Sequence, residues 1–93
     1  MKINETVSLN SSCELRAFYY NDDPDHVGHD IEVPEVGSQY TIMGYVPEKS
    51  NKLRKDEESG NFENYAFVIR HNTSAELFRV SRKKMHENFV VLD

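Results

Sequence analysis

The sequence predicts an all-β domain, a small five- or six-stranded barrel with one short helical turn near residues 81–86. Three observations predict it. Residues 65–80 read as a hairpin: Tyr65, Phe67 and Ile69 alternate with Ala66, Val68 and Arg70, apolar on both faces until Arg70, as in a strand lying inside a sheet. Two more alternating runs, 13–20 and 39–46, supply the partners that a hairpin needs, since a two-stranded ribbon is marginal in water. The 93 residues show almost no helical pattern, so short strands must close on one another to hide their edges.

The elements follow in order. Ile3, Glu5, Val7 and Leu9 alternate weakly before Asn10, Ser11 and Ser12 interrupt them, so residues 1–12 are expected to add a short edge strand to a single domain spanning 1–93. Cys13, Leu15, Ala17 and Tyr19 share one parity of the next strand. Residues 21–37 are rich in Asp, Pro, Gly and His and read as a long structured loop, with only Ile31 and Val33 hinting at an extended piece. In 39–46, Tyr40, Ile42, Gly44 and Val46 oppose Thr41, Met43 and Tyr45, and Gly44 marks a bulge or a close backbone approach. Residues 47–61 are too charged to pack. In the central hairpin, His71, Asn72, Thr73 and Ser74 provide turn chemistry, with Asn72 suited to positive φ. Ser81 is the expected N-cap of a helical turn through Met85, and 89–92 form the last strand.

Composition bounds the function. A chain of this length buries roughly 60–65% of its unfolded surface and builds one core. No apolar run is long enough for a membrane span and no signal-peptide pattern is visible, so a cytoplasmic monomer is expected. Cys13 stands alone and beside Glu14, which raises a thiol pKa rather than lowering it; a small core or strand residue is the expected role. The net charge is −5, concentrated at the front: residues 1–47 hold eight acids against Lys2 and Arg16. Such a field favours a partner protein with a basic surface over a phosphate backbone.

From residue 14 onward the order of elements resembles a Src-homology-3-like barrel. Ala17-Phe18-Tyr19-Tyr20 resembles the aromatic strand that opens that fold, and the acidic loop 21–37 takes the place of its long first loop. Residues 37–42 resemble its diverging turn and second strand, and 47–61 its second loop. Residues 65–80 resemble its third and fourth strands, 81–85 its helical turn and 89–92 its last strand. Two departures bear on function. The family's Trp is missing, and Met85 and His86 stand where a Tyr is often offered, so the resemblance does not imply a proline-rich ligand in the usual groove. It implies a scaffold for protein contacts, similar in style to small phage proteins that bind and block a host enzyme in the host cytoplasm.

Several side-chain sets compete as the site. Tyr20, Asp22, Asp23, Asp25, Asp30, Glu32, Glu35 and Tyr45 are the expected partner-binding residues, an acidic loop flanked by aromatic anchors. The alternative is a nucleic-acid surface made by Lys52, Arg54 and Lys55 with Arg79, Arg82 and Lys84, since aromatics between cations let bases stack while phosphates pair. His26 and His29 with neighbouring Asp residues make the densest set of metal-ligand types, but an EF-hand register from Asp23 puts Val27 and Pro34 where oxygen ligands belong. No metal or cofactor is therefore expected. Neither His71 nor His86 has a spacing relation to Cys13 or a Ser that suggests a nucleophile, and a noncatalytic inhibitor or adaptor is the expected function.

Overall fold

The computed structural model describes residues 1–18, 31–47, 53 and 65–92. They form one antiparallel sheet and one helix. The strands are β1 (Thr6–Leu9), β2 (Leu15–Ala17), β3 (Ile31–Glu32), β4 (Gln39–Pro47), β5 (Tyr65–His71), β6 (Leu77–Ser81) and β7 (Phe89–Val91), with α1 (Arg82–Asn88) between β6 and β7. The order across the sheet is β3-β2-β6-β5-β4-β1-β7. The all-β character agrees with the sequence. The strand count does not: the sheet has seven strands and is not closed, where a barrel of five or six was expected.

The difference has two sources. Residues 6–9 were expected at an edge, yet β1 lies between β4 and β7, with Val7 opposite both Tyr40 and Val91. Val7 and Leu9 share one parity of this central strand and are fully buried in the main core. The second source is β3, a two-residue strand that pairs Glu32 with Leu15 and Ile31 with Arg16.

The centre of the sheet is the meander β4-β5-β6. Both faces of β5 are covered, as its two-sided apolar pattern requires: from Ala66 to Ile69 every residue is buried, and Arg70 is exposed. One face carries the main core, including Tyr40, Ile42, Phe67, Ile69, Phe78, Val80, Met85 and Phe89. The other carries a smaller cluster of Phe18, Val46 and Val68, flanked by Met43, Leu53 and Leu77. Tyr40, Phe67, Phe78 and Phe89 are core residues, as the alternation predicts.

The register of β4 against β5 shifts between Ile42 and Gly44, so Met43 is the extra residue of a bulge. A one-residue slip moves every following side chain to the other face. Tyr45, expected as an exposed anchor, is therefore 6% exposed in the main core, its hydroxyl donating to the Met1 carbonyl oxygen at 3.3 Å. Its ring packs against Phe67 at 5.2 Å and Tyr65 at 5.3 Å.

Two turns set up the meander. Gly37 enters β4 with φ +96°, a conformation that costs Gly little, and its N–H donates to the Leu9 carbonyl at 2.7 Å. The β5–β6 turn is organised by His71, whose Nδ1 accepts from the backbone N–H of Thr73 and of Ser74, both at 3.1 Å. The residue with positive φ is Ala75 at 65°, not Asn72. The chain turns first and crosses into the left-handed region only on rejoining the ladder, where the Ala75 N–H donates to the His71 carbonyl at 2.9 Å.

Helix α1 begins at its expected cap: the Ser81 Oγ accepts from the Lys84 N–H at 3.2 Å. Seven residues are too few to hold a helix by propensity, so the fully buried Met85 anchors it to the core. The anchor fixes which residues of the Arg82–His86 turn face outward.

Candidate cationic groove

A groove of about 680 Å³ opens where β2 and β3 approach the end of β6 and the start of α1. The ladder builds its wall. Directly opposed residues of antiparallel strands share a face. The pairs Ile31 with Arg16 and Arg16 with Arg79 therefore set these three side chains in one row across β3, β2 and β6. Beside the row, Tyr65 and Ala66 come from the start of β5, and Arg82, Lys83, Lys84 and His86 from α1.

Five cations thus line one groove: Arg16, Arg79, Arg82, Lys83 and Lys84. Among the described lining residues Glu14 is the only acid. Three of the cations contact neutral groups, which fix position without cancelling charge. The Lys84 ammonium donates to the Glu14 carbonyl oxygen at 2.7 Å, and the Arg82 guanidinium lies 5.5 Å from the Tyr65 ring centroid, within cation–π range. Arg79 donates from Nη2 to the Pro47 carbonyl at 3.4 Å. Lys83 pairs with the Glu87 carboxylate at 3.9 Å, an exposed pair of little energetic weight.

Placing like charges directly across an antiparallel pair is unfavourable, as Arg16 opposite Arg79 does. An anion in the groove would be attracted to both guanidinium groups. The surrounding apolar surface lowers the local dielectric and strengthens that attraction. The lip is apolar on one side, since Ile31 is 53% exposed. The Ser81 hydroxyl, which also lines the groove, accepts from the Lys84 N–H as the helix cap.

Of the residues proposed from sequence, Arg79, Arg82 and Lys84 are brought together here. Lys52, Arg54 and Lys55 lie outside the described residues, as do Tyr20, Asp22, Asp23, Asp25, Asp30, His26 and His29. Glu32 and Glu35 are exposed beyond the groove, beside Val33 at 63% and Val36 at 58% exposure. The basic cluster 79–84 read from the sequence also holds Lys83, which lines the groove, while Arg16, Ile31 and Tyr65 were missed. Arg16 alternates with Leu15 and Ala17 in the sequence, but its pairing with β6 is a long-range fact that no local pattern carries.

Cys13 sits just before β2, half-buried against the core. Burial pushes its thiol pKa up, and nearby Lys84 partly offsets this, so burial rather than Glu14 is the dominant cause. Among the described residues no helix is long and apolar enough to cross a membrane. Comparison with protein-family models, curated proteins and solved structures yields no match.

Proposed function

We propose that this chain is a noncatalytic protein-binding module, an inhibitor or adaptor, and that a partner docks an acidic segment into the cationic groove. The observation that carries this reading is the convergence of five cations from three separate elements in a chain of net charge −5. A solvated rim scatters its cations; here three contact uncharged partners. The strand order supports a Src-homology-3-like scaffold in which β1, not residues 17–20, is the opening strand. It pairs with β4 and β7, the meander follows, and the helical turn precedes β7. Cations replace the aromatic walls that a proline-rich ligand would need.

The acidic stretch 21–37 is a second proposed contact with a basic patch on the same partner. Glu32 and Glu35, set beside exposed Val33 and Val36, favour it, because charge steers association while apolar area holds the complex. Single-stranded nucleic acid is the competing ligand class, favoured by Tyr65 next to Arg79, Arg82 and Lys84. Tyr65 is half-buried with Arg82 over its ring, a poor open platform for a base.

The test is fluorescence anisotropy with a Glu-rich peptide and, separately, an oligonucleotide of equal charge, each at low and raised salt. The peptide is expected to bind more tightly. The double variant Arg16→Gln, Lys84→Gln is expected to weaken it by about tenfold or more, the scale of two lost charge-assisted bonds. Tighter oligonucleotide binding would move the site to nucleic acid, and no binding of either would remove the groove.

A further inference from the structure

We propose that the group read by this groove is a phosphoryl monoester, carried on a side chain of the docked segment. The inference rests on the groove being the docking site and goes further by naming the chemistry at its centre.

The argument is one of charge density and geometry. A carboxylate brings one negative charge and two acceptor oxygens, whereas a phosphomonoester brings about 1.5 to 2 charges and three acceptor oxygens at neutral pH. A single carboxylate is satisfied by one arginine fork. The groove offers much more than that. Arg16 and Arg79 are rooted opposite each other on β2 and β6, with β-carbons at a spacing of roughly 5 Å set by the ladder. Two guanidinium groups from neighbouring roots converge on one tetrahedral anion more readily than on two carboxylates held apart along a peptide. Lys84, held by the Glu14 carbonyl, and Arg82, held against Tyr65, supply point charge around that pair. Both are arranged before the ligand arrives, which reduces the ordering cost of binding. Arginine is the better phosphate reader because its planar fork makes two parallel bonds to one anion. Arg16 opposite Arg79 brings two guanidinium groups to one face of the ladder, and a dianion turns the pair into a clamp. The exposed Ile31 beside Arg16 gives the chain that carries the phosphoryl group an apolar surface to lie on.

Three peptides of about ten residues test it, built from Gly, Ser and Glu and differing only at the centre, which is phosphoserine, Glu or Ser. Affinities are measured by isothermal titration against the full chain. The phosphoserine peptide is expected to bind about tenfold more tightly than the Glu peptide, and Arg16→Gln to erase that difference. Arg70→Gln, on an exposed residue that does not line the groove, should leave it intact. Circular dichroism verifies folding of each variant, and Lys84→Gln replaces Arg16→Gln if that variant does not fold. Equal affinity for the phosphoserine and Glu peptides would overturn the phosphoryl proposal and leave the acidic-segment reading standing. If no peptide binds, both fall. An oligonucleotide of matched charge that outcompetes the phosphoserine peptide would also overturn it and assign the groove to nucleic acid.

Discussion

The two faces of the central meander are made by the same strands and do different work. On β6, Phe78 and Val80 point into the main core while Leu77, Arg79 and Ser81 point the other way. On β5, Phe67 and Ile69 face inward while Ala66 and Val68 face outward. The inner face is filled by large side chains from β1, β2, β4, β5, β6, β7 and α1. The outer face is covered by a small apolar cluster near Val46 and Val68 and then opens into the row Ile31, Arg16, Arg79. Stability is concentrated on the first and the proposed recognition falls on the second, so substitutions on adjacent residues of one strand should separate the two.

The largest effect is expected inside. Phe78→Ala removes a side chain that is 2% exposed and edges onto Tyr40 at 6.1 Å. Loss of transfer energy plus the cavity should cost about 3–5 kcal/mol, read from the shift of a urea unfolding midpoint at constant slope. A loss below about 1 kcal/mol would mean that the outer cluster, not this one, holds the sheet together. Ser81→Ala comes next. It removes the acceptor for the Lys84 N–H and should cost about 1 kcal/mol. Because Arg82, Lys83 and Lys84 form the first turn of α1, fraying there should also weaken anionic peptide binding. A stability loss with unchanged binding would show that the groove does not need the cap.

How much of this was legible in the sequence follows from how local each determinant is. The β5–β6 hairpin was readable because strand alternation and turn chemistry lie within one stretch, and the Ser81 cap because a cap is a three-residue relation. Tyr45 was not. Its parity in 39–46 matches Thr41 and Met43, and only the bulge at Met43 turns it into the core, with Gly44 as the sole hint. The position of β1 was missed for a related reason: a weak four-residue alternation does not say how many neighbours a strand has. The groove was half-visible. Arg79, Arg82 and Lys84 are close in sequence, whereas Arg16 joins them only through the β2–β6 ladder.

A moderate and pH-dependent effect is expected at Tyr40, which is fully buried on the inner face with its hydroxyl 3.1 Å from the Ser38 Oγ. Burial pushes its phenol pKa above the ordinary value near 10, the hydrogen bond to Ser38 offsetting this only in part. The folded state therefore holds this proton more tightly than the unfolded chain does. Its contribution is fully present below about pH 10 and is lost as pH rises from there through the folded value. Tyr40→Phe should cost about 1 kcal/mol at pH 7 by losing the Ser38 bond, and should flatten the fall in stability above pH 10. Chemical denaturation at pH 7 and pH 10.5 separates the two, and an unchanged alkaline slope would place the titration elsewhere.

The smallest effect on stability is expected on the outer face, and it is the sharpest test of the division between the faces. Arg16 is exposed and stands across from Arg79. Replacing it by Gln keeps much of the length of the side chain while removing one of two opposed charges. The relieved repulsion and the lost packing of the side-chain stem oppose each other at a few tenths of a kcal/mol. The unfolding midpoint should therefore move by no more than about 0.5 kcal/mol equivalent, and upward if repulsion dominates. The direction carries information. A rise in stability combined with weaker anion binding would show that the uncomplexed protein tolerates a destabilising charge pair for the sake of a ligand. A fall beyond about 1 kcal/mol would instead make Arg16 a structural support of the β2–β6 ladder, and the contrast between an inner face that holds and an outer face that binds would fail at the residue on which it most depends.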